Sequence, residues 1–172
     1  ETFEYERAAQ LTQDALQHEN VIIYEAAFLV DGYFIRTDII EKKGNKVRLI
    51  EVKAKSFDSN DENLFIGKKG GLVSSWKPYL FDLAFQKKVA ELAYPNLEFE
   101  AHFMMADKTK KASIDGLNQM FRVPINGDPR IGIIKKVHSI EEIGNSVLSE
   151  INVDTIINDI ISSKYNYYES LG

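Results

Sequence analysis

Four residues of this chain have the types and spacing to act on a phosphate: Asp38, Glu51, Lys53 and, further along, Gln86. Glu51-Val52-Lys53 is an acid and an ammonium two residues apart, and on a strand that spacing puts both side chains on one face. Carboxylates gathered on a face suit a hard divalent cation; Mg²⁺ is usually held by one or two carboxylates, water and substrate phosphate. An ammonium beside such an ion completes a set able to neutralise a phosphoryl group.

The elements that must position these groups lie between Val21 and Lys55. Three β-branched, apolar-rich runs are separated there by Asp31-Gly32 and by Gly44-Asn45, both read as tight hairpin turns. With two-residue loops, Val30 faces Tyr33 and Lys43 faces Lys46. Counting back from each turn sets Glu25 opposite Asp38, and Asp38 opposite Glu51. The meander thus predicts a row of three carboxylates across three strands, Glu25, Asp38 and Glu51. Like charges directly opposed across a sheet repel, so the row calls for a cation.

Around the meander, helical spacing predicts a helix over about 3–18, with His18 near its end as a surface residue. After Lys55 some twenty polar residues, including Lys68-Lys69-Gly70-Gly71, read as a long loop of the kind that serves as a lid or stays mobile. Its lysines and glycines could bind phosphate, although no full P-loop pattern is present. Ser74 or Ser75 is the expected cap of the next helix, with Pro78 in its first turn and an end near Tyr94. Tyr79, Asp82, Leu83, Gln86 and Ala90 fall on neighbouring rows of that helix. Gln86, an uncharged polar group on an apolar face, needs a partner, which the carboxylate face offers.

Residues 97–106 read as a strand joining the sheet after the helical crossover. Its His102 is read as a core or edge histidine rather than a metal ligand. Another strand is expected around 118–125, before the turn Asn126-Gly127-Asp128-Pro129. Then VHSIEEIGNSVLSEI and VDTIINDIISSKY both show helical period, and the aromatic tail KYNYYESLG suggests docking on further parts of a longer protein.

The 172 residues make one domain of ordinary size, with a core of about 5–125 and a helical extension of about 131–172. No stretch approaches the roughly 18 apolar residues of a membrane span. There are no cysteines, hence no disulfides or thiolate metal sites, which fits a cytoplasmic setting. The chain starts at Glu1 without a charged-then-apolar leader and reads as part of a longer protein. The net charge of −5 argues against non-specific coating of nucleic acid, yet residues 36–88 hold 12 Lys/Arg against 7 Asp/Glu. The positive stretch of an acidic chain spans the candidate site.

The order helix, three-strand meander, helix, strand, with Asp38 on the second strand and Glu51-Val52-Lys53 on the third, resembles the PD-(D/E)XK nuclease superfamily. YEAAF, DGYFIRTDII, LIEVKAKS and WKPYLFDLAFQ are similar to a RecB-like exonuclease group of bacteria, over roughly residues 5–125. The resemblance implies an α/β fold with a restriction-endonuclease-like core. In such a core a mixed central sheet, made of the antiparallel meander plus strands after a crossover helix, is flanked by helices. It also implies Mg²⁺- or Mn²⁺-dependent hydrolysis of DNA, with Asp38, Glu51 and the Val52 carbonyl as metal ligands. Glu25 would position that ion or a second one, Lys53 would orient water or stabilise charge, and Gln86 would orient a ligand or the DNA backbone. Three features depart from the pattern. The RecB-like helix carries a Tyr four residues after its Gln, where this chain has Ala90, the cysteines that bind an iron–sulfur cluster in many relatives are absent, and the His that many relatives carry on an early helix is not clearly supplied. Rival readings are a nuclease-like module that binds nucleic acid or a partner protein without cutting, and an enzyme acting on small phosphorylated molecules.

Overall fold

A computed structural model describes residues 2–122 and 134–165. Helix α1 (Thr2–Ala15) leads into the meander β1 (Asn20–Val30), β2 (Tyr33–Lys43) and β3 (Lys46–Phe57). Helix α2 (Lys77–Ala93) then crosses over to β4 (Glu98–Asp107), which lies parallel to β3. Both hairpins have the counted register, with Val30 opposite Tyr33 and Lys43 opposite Lys46. The first turns on Asp31 and Gly32, at φ 50° and 80°, the left-handed pair that a two-residue hairpin loop demands.

The five-stranded sheet runs β1-β2-β3-β4-β7, with β7 at Leu148–Asn152, so the fold is α/β with a mixed sheet flanked by helices. One face is sealed by α2, whose Leu80 and Leu83 are fully buried with Val47 and Leu49 of β3 and Ala101, Phe103 and Met105 of β4. Each such leucine contributes about 2 kcal/mol of burial free energy. Helix α2 begins without a side-chain cap; neither Ser74 nor Ser75 fills that role.

The C-terminal third departs from the expectation. VHSIEEIGNSVLSEI is not a helix: a single 3₁₀ turn at Glu141–Ile143 ends at Gly144, and strand β7 (Leu148–Asn152) follows. Gly144 takes φ 66° in a conformation reserved for glycine, and a Cβ there would collide with Ser113 Oγ. Downstream, the free edge of β4 offers hydrogen bonds from His102↔Asn152 to Ala106↔Leu148, and that pairing overrides the local helical spacing. Helix α3 (Asp154–Ile161) was legible, but it is no appendage. Val153, Ile157 and Ile160 are in the core. The core therefore continues well past residue 125.

The remaining expected strand shrinks to β5 (Phe121–Arg122), which pairs with β6 (Ile134–Lys135) apart from the main sheet. The turn Asn126-Gly127-Asp128-Pro129 and the tail from Asn166 onward lie outside the described residues. The segment 58–76 is pinned rather than free: Phe65, Leu72 and Trp76 are buried, and Phe65 meets the rings of Trp76 and Phe103 at 5.2 and 6.0 Å. Among the described residues no helix is long and apolar enough to cross a membrane.

Polar contacts fasten the late elements. Lys87 of α2, 2% exposed, donates to Asp154 Oδ1 at 2.5 Å and Asn158 Oδ1 at 2.7 Å, docking α3. On the opposite sheet face Glu150 of β7 accepts from Arg48 at 2.6 Å and lies 2.9 Å from buried His102 Nδ1, which bears out the structural reading of that histidine. At the end of β4, burial raises the Asp107 pKa, but bonds from the Thr109 amide and hydroxyl and from Ser149 more than offset it and lower it to about 2.

Replacing Asp154 by Ala should lower the unfolding free energy by about 2 kcal/mol in urea titration, since it takes the nearer of two carboxylates from a buried ammonium and leaves it Asn158 and the more distant Glu91; Lys87→Met in that background should restore part of the loss. A pKa depressed from 3.8 to about 2 stabilises the fold above the ordinary carboxylate range, and the contribution drains away as pH falls through that window. The melting-temperature gap between wild type and Asp107→Asn should accordingly shrink from pH 5 to pH 2.

Candidate active site

The site begins where two strands part. β2 pairs with β3 only from Lys43↔Lys46 to Ile39↔Ile50. Beyond that point the β1–β2 hairpin turns away and packs on α2, with Tyr33 against Phe85 at 5.9 Å and Phe28 against Tyr94 at 5.7 Å. Glu25 sits at this turn with φ 56°, a left-handed conformation inside a strand, and drops out of the otherwise continuous β1–β2 ladder.

Parting strands leave backbone groups without ladder partners, and side chains can take them up. Asp38, the first β2 residue past the last pair, supplies the acceptor: its Oδ2 takes the Val52 N–H at 2.7 Å. The carboxylate is thereby held against β3. One residue back on β3, Glu51 points inward and is only 6% exposed. Burial pushes its pKa up and the Asp38 charge adds to this, while Lys53 and Gln86 pull the other way without cancelling the rise.

Lys53 and α2 close the site. The Lys53 ammonium lies 2.6 Å from Glu51 Oε1 and 3.3 Å from Asp82 Oδ2. Burial works to lower its pKa, but the two carboxylates outweigh that and raise it. Gln86 Nε2 donates to Glu51 Oε2 at 3.2 Å and to Asp82 Oδ2 at 3.4 Å, as its place on an apolar helix face required. Gln86 Oε1 is buried with no hydrogen-bond partner.

The structure thus brings Asp38, Glu51, Lys53, Gln86 and the Val52 backbone together. It does not complete the three-acid row. The Glu25 side chain is 66% exposed and its ion pair, at 4.0 Å, is with Arg36 Nη1. The register count is correct, but the left-handed backbone at Glu25 breaks the alternation on which the row depended. Among the described residues no group of three or more Asp, Glu, His or Cys side chains is placed to share a metal ion.

Asp82 is the site residue that sequence reasoning passed over. Its signal was visible, since it precedes Gln86 by one helical turn on the same row, but a lone exposed-type acid on a helix carries no sign of what it will face.

Two carboxylates, Asp38 and Glu51, and a buried amide oxygen with no partner among the described residues make a donor set that fits Mg²⁺ or Mn²⁺, with water and phosphate filling the remaining positions. A cation would also offset the Asp38–Glu51 repulsion. Compared with known proteins, the chain matches no family model, no curated protein and no solved structure.

Millimolar Mn²⁺ should raise the melting temperature at neutral pH by binding the folded state alone. The rise should shrink as pH falls into the carboxylate range, because a proton competes for Glu51 and its raised pKa lets that competition start early. A shift that persists in Glu51→Gln would place the ion elsewhere.

Proposed function

We propose that this protein is a metal-dependent nuclease hydrolysing DNA phosphodiester bonds, with exonuclease-like action. The observation that carries the reading is the Lys53 ammonium clasped by Glu51 and Asp82 beside the Asp38 carboxylate, on a strand the neighbouring β2 has left open. An ion pair whose purpose was stability would not need a further carboxylate set against its buried acid. The resemblance of LIEVKAKS and WKPYLFDLAFQ to RecB-like exonucleases supports the same reading.

Asp38, Glu51, the Val52 carbonyl and Gln86 would hold Mg²⁺ or Mn²⁺, which when bound supplies Lewis-acid polarisation of a phosphoryl oxygen and a more acidic water. The remaining work falls to the chain. Paired with Glu51 and Asp82, the Lys53 ammonium serves as a fixed positive donor for charge growing on the phosphoryl oxygens. Glu51 and Asp82 aim that donor, and Asp82 would be its remaining anchor when Glu51 turns to a cation. Gln86 tethers both acids and fixes the Glu51 oxygen it faces. Hydrolysis of this kind asks mainly for positioning and charge neutralisation.

One observation favours a second reading, a nuclease-like module that binds DNA or a partner protein without cutting. Ala90, one helical turn past Gln86, is fully buried and presents nothing to a substrate. Cleavage separates the two. Lys53→Ala should lower Mg²⁺-dependent degradation of linear DNA by about 10² to 10³-fold, the usual cost of removing a transition-state donor. Asp38→Asn, which keeps an acceptor for the Val52 N–H, should abolish it with the melting temperature preserved. Equal rates in wild type and both variants would sink the nuclease assignment.

A further inference from the structure

β3 carries a second lysine that the site described so far does not use. Val52 pairs with Met104 and the next pair is Ser56 with Ala106, so four steps of β3 run against two of β4. A bulge of two extra residues lets the strand bow outward yet keeps the in-and-out alternation. Glu51, Lys53, Lys55 and Phe57 all turn inward, whereas Val52, Ala54 and Ser56 are exposed. Lys55 therefore stands on the face of Glu51 and Lys53, one step further along a strand whose β2 side is open.

Its surroundings differ from those of Lys53 in charge. Lys53 has two carboxylates. Lys55 has none among the described residues: its ammonium donates to the Ser75 carbonyl at 2.9 Å and lies over the Trp76 ring at 3.9 Å and the Tyr79 ring at 5.0 Å. A neutral carbonyl and two π faces hold the group in place without cancelling its charge. The side chain is ordered in advance, so an incoming anion need not bear the entropy of ordering a free lysine. Lys53 lies 5.4 Å from the same Tyr79 ring, which puts the two ammonium groups within about 10 Å of each other. Neighbouring phosphates along a nucleic-acid strand are separated by a distance inside that range.

We infer that Lys55 is a second phosphate-binding position, which receives the phosphate next to the one cut, so that the substrate is a polynucleotide strand and not a small phosphoester. The inference rests on the nuclease reading for the identity of the cut phosphate. It goes beyond that reading in assigning Lys55 and in requiring at least two adjacent phosphates. Lys68 and Lys69, on the Gly67–Gly71 turn, have no comparable anchoring and remain exposed.

The test compares two substrates in Mg²⁺: a short single-stranded oligodeoxynucleotide and bis(p-nitrophenyl) phosphate, which has a single phosphate. Lys55→Met keeps the aliphatic stem over Trp76 and removes the charge. It should lower the ratio of oligonucleotide to bis(p-nitrophenyl) phosphate hydrolysis by about tenfold, the loss of one charge-assisted contact, and Lys55→Arg should restore the ratio. An unchanged ratio, with both rates falling together or neither falling, overturns the assignment, because it leaves Lys55 as a brace for Trp76. If wild type cuts neither substrate, the nuclease reading fails separately and binding of the labelled oligonucleotide in Ca²⁺ decides. A salt slope of log K lowered by about 0.7 in Lys55→Met supports the phosphate contact; an unaltered slope, or no binding by wild type, overturns it.

Discussion

The candidate site exists because β2 cannot stay paired with β3 along its whole length. The β1–β2 hairpin is long, and its distal half is committed to α2 and its C-terminal end through Tyr33 on Phe85 and Phe28 on Tyr94, with Phe28 also meeting Phe99 of β4. Once the strands part at Ile39↔Ile50, the exposed edge of β3 has donors to satisfy, and Asp38 meets the first of them at Val52. One hydrogen bond thus does two things. It ends the ladder without an orphan, and it presses a carboxylate into the wedge where Glu51 and Lys53 project. Without the parting there is no open wedge; without the Asp38 bond the Val52 N–H turns to solvent and the carboxylate is not held against β3.

The same constraint explains the charge arrangement. Glu51 is buried because the wedge is closed from below by α2, and a buried carboxylate beside a second one is held protonated more readily than either alone. Lys53 and Gln86 answer that with one ammonium and one amide shared between two acids, Glu51 and Asp82. The balance is incomplete, as the unpartnered Gln86 oxygen and the raised Glu51 pKa both record. Proteins tolerate such imbalance where a ligand will later settle it. Further along β3, Lys55 is unbalanced with the opposite sign, so the strand offers a site short of positive charge next to one with positive charge to spare.

Stability comes from elsewhere, which leaves the wedge free to be polar. The apolar mass lies between α2 and the β3–β4 centre of the sheet, and the C-terminal segment completes it by adding β7 to the edge of β4 and α3 beside α2. The Lys87–Asp154–Asn158 contact makes α3 part of the fold. A chain cut after residue 125 would lose one of the two partners of β4 and three core side chains, Val153, Ile157 and Ile160.

Much of this was written in local sequence. Turn chemistry at Asp31-Gly32 and Gly44-Asn45 determined both hairpin registers, because a two-residue loop permits one pairing only; the expected Asp38–Glu51 pair is not made, since the β2–β3 ladder ends one step earlier at Ile39↔Ile50, and Asp38 reaches β3 through the Val52 N–H instead. Helical period placed Gln86 on the inward face of α2, and an inward amide must find a partner. Tertiary structure decided what local pattern cannot carry. Glu25 left the acid row because the hairpin bends there to reach α2, a demand set by residues far along the chain. Asp82 joined the site because α2 crosses the sheet at the height of Lys53. The segment from Leu148 to Asn152 became a strand, against its own helical spacing, because β4 had an open edge beside it, and hydrogen bonds to a neighbouring strand outweigh the weak preference of five residues for a helix.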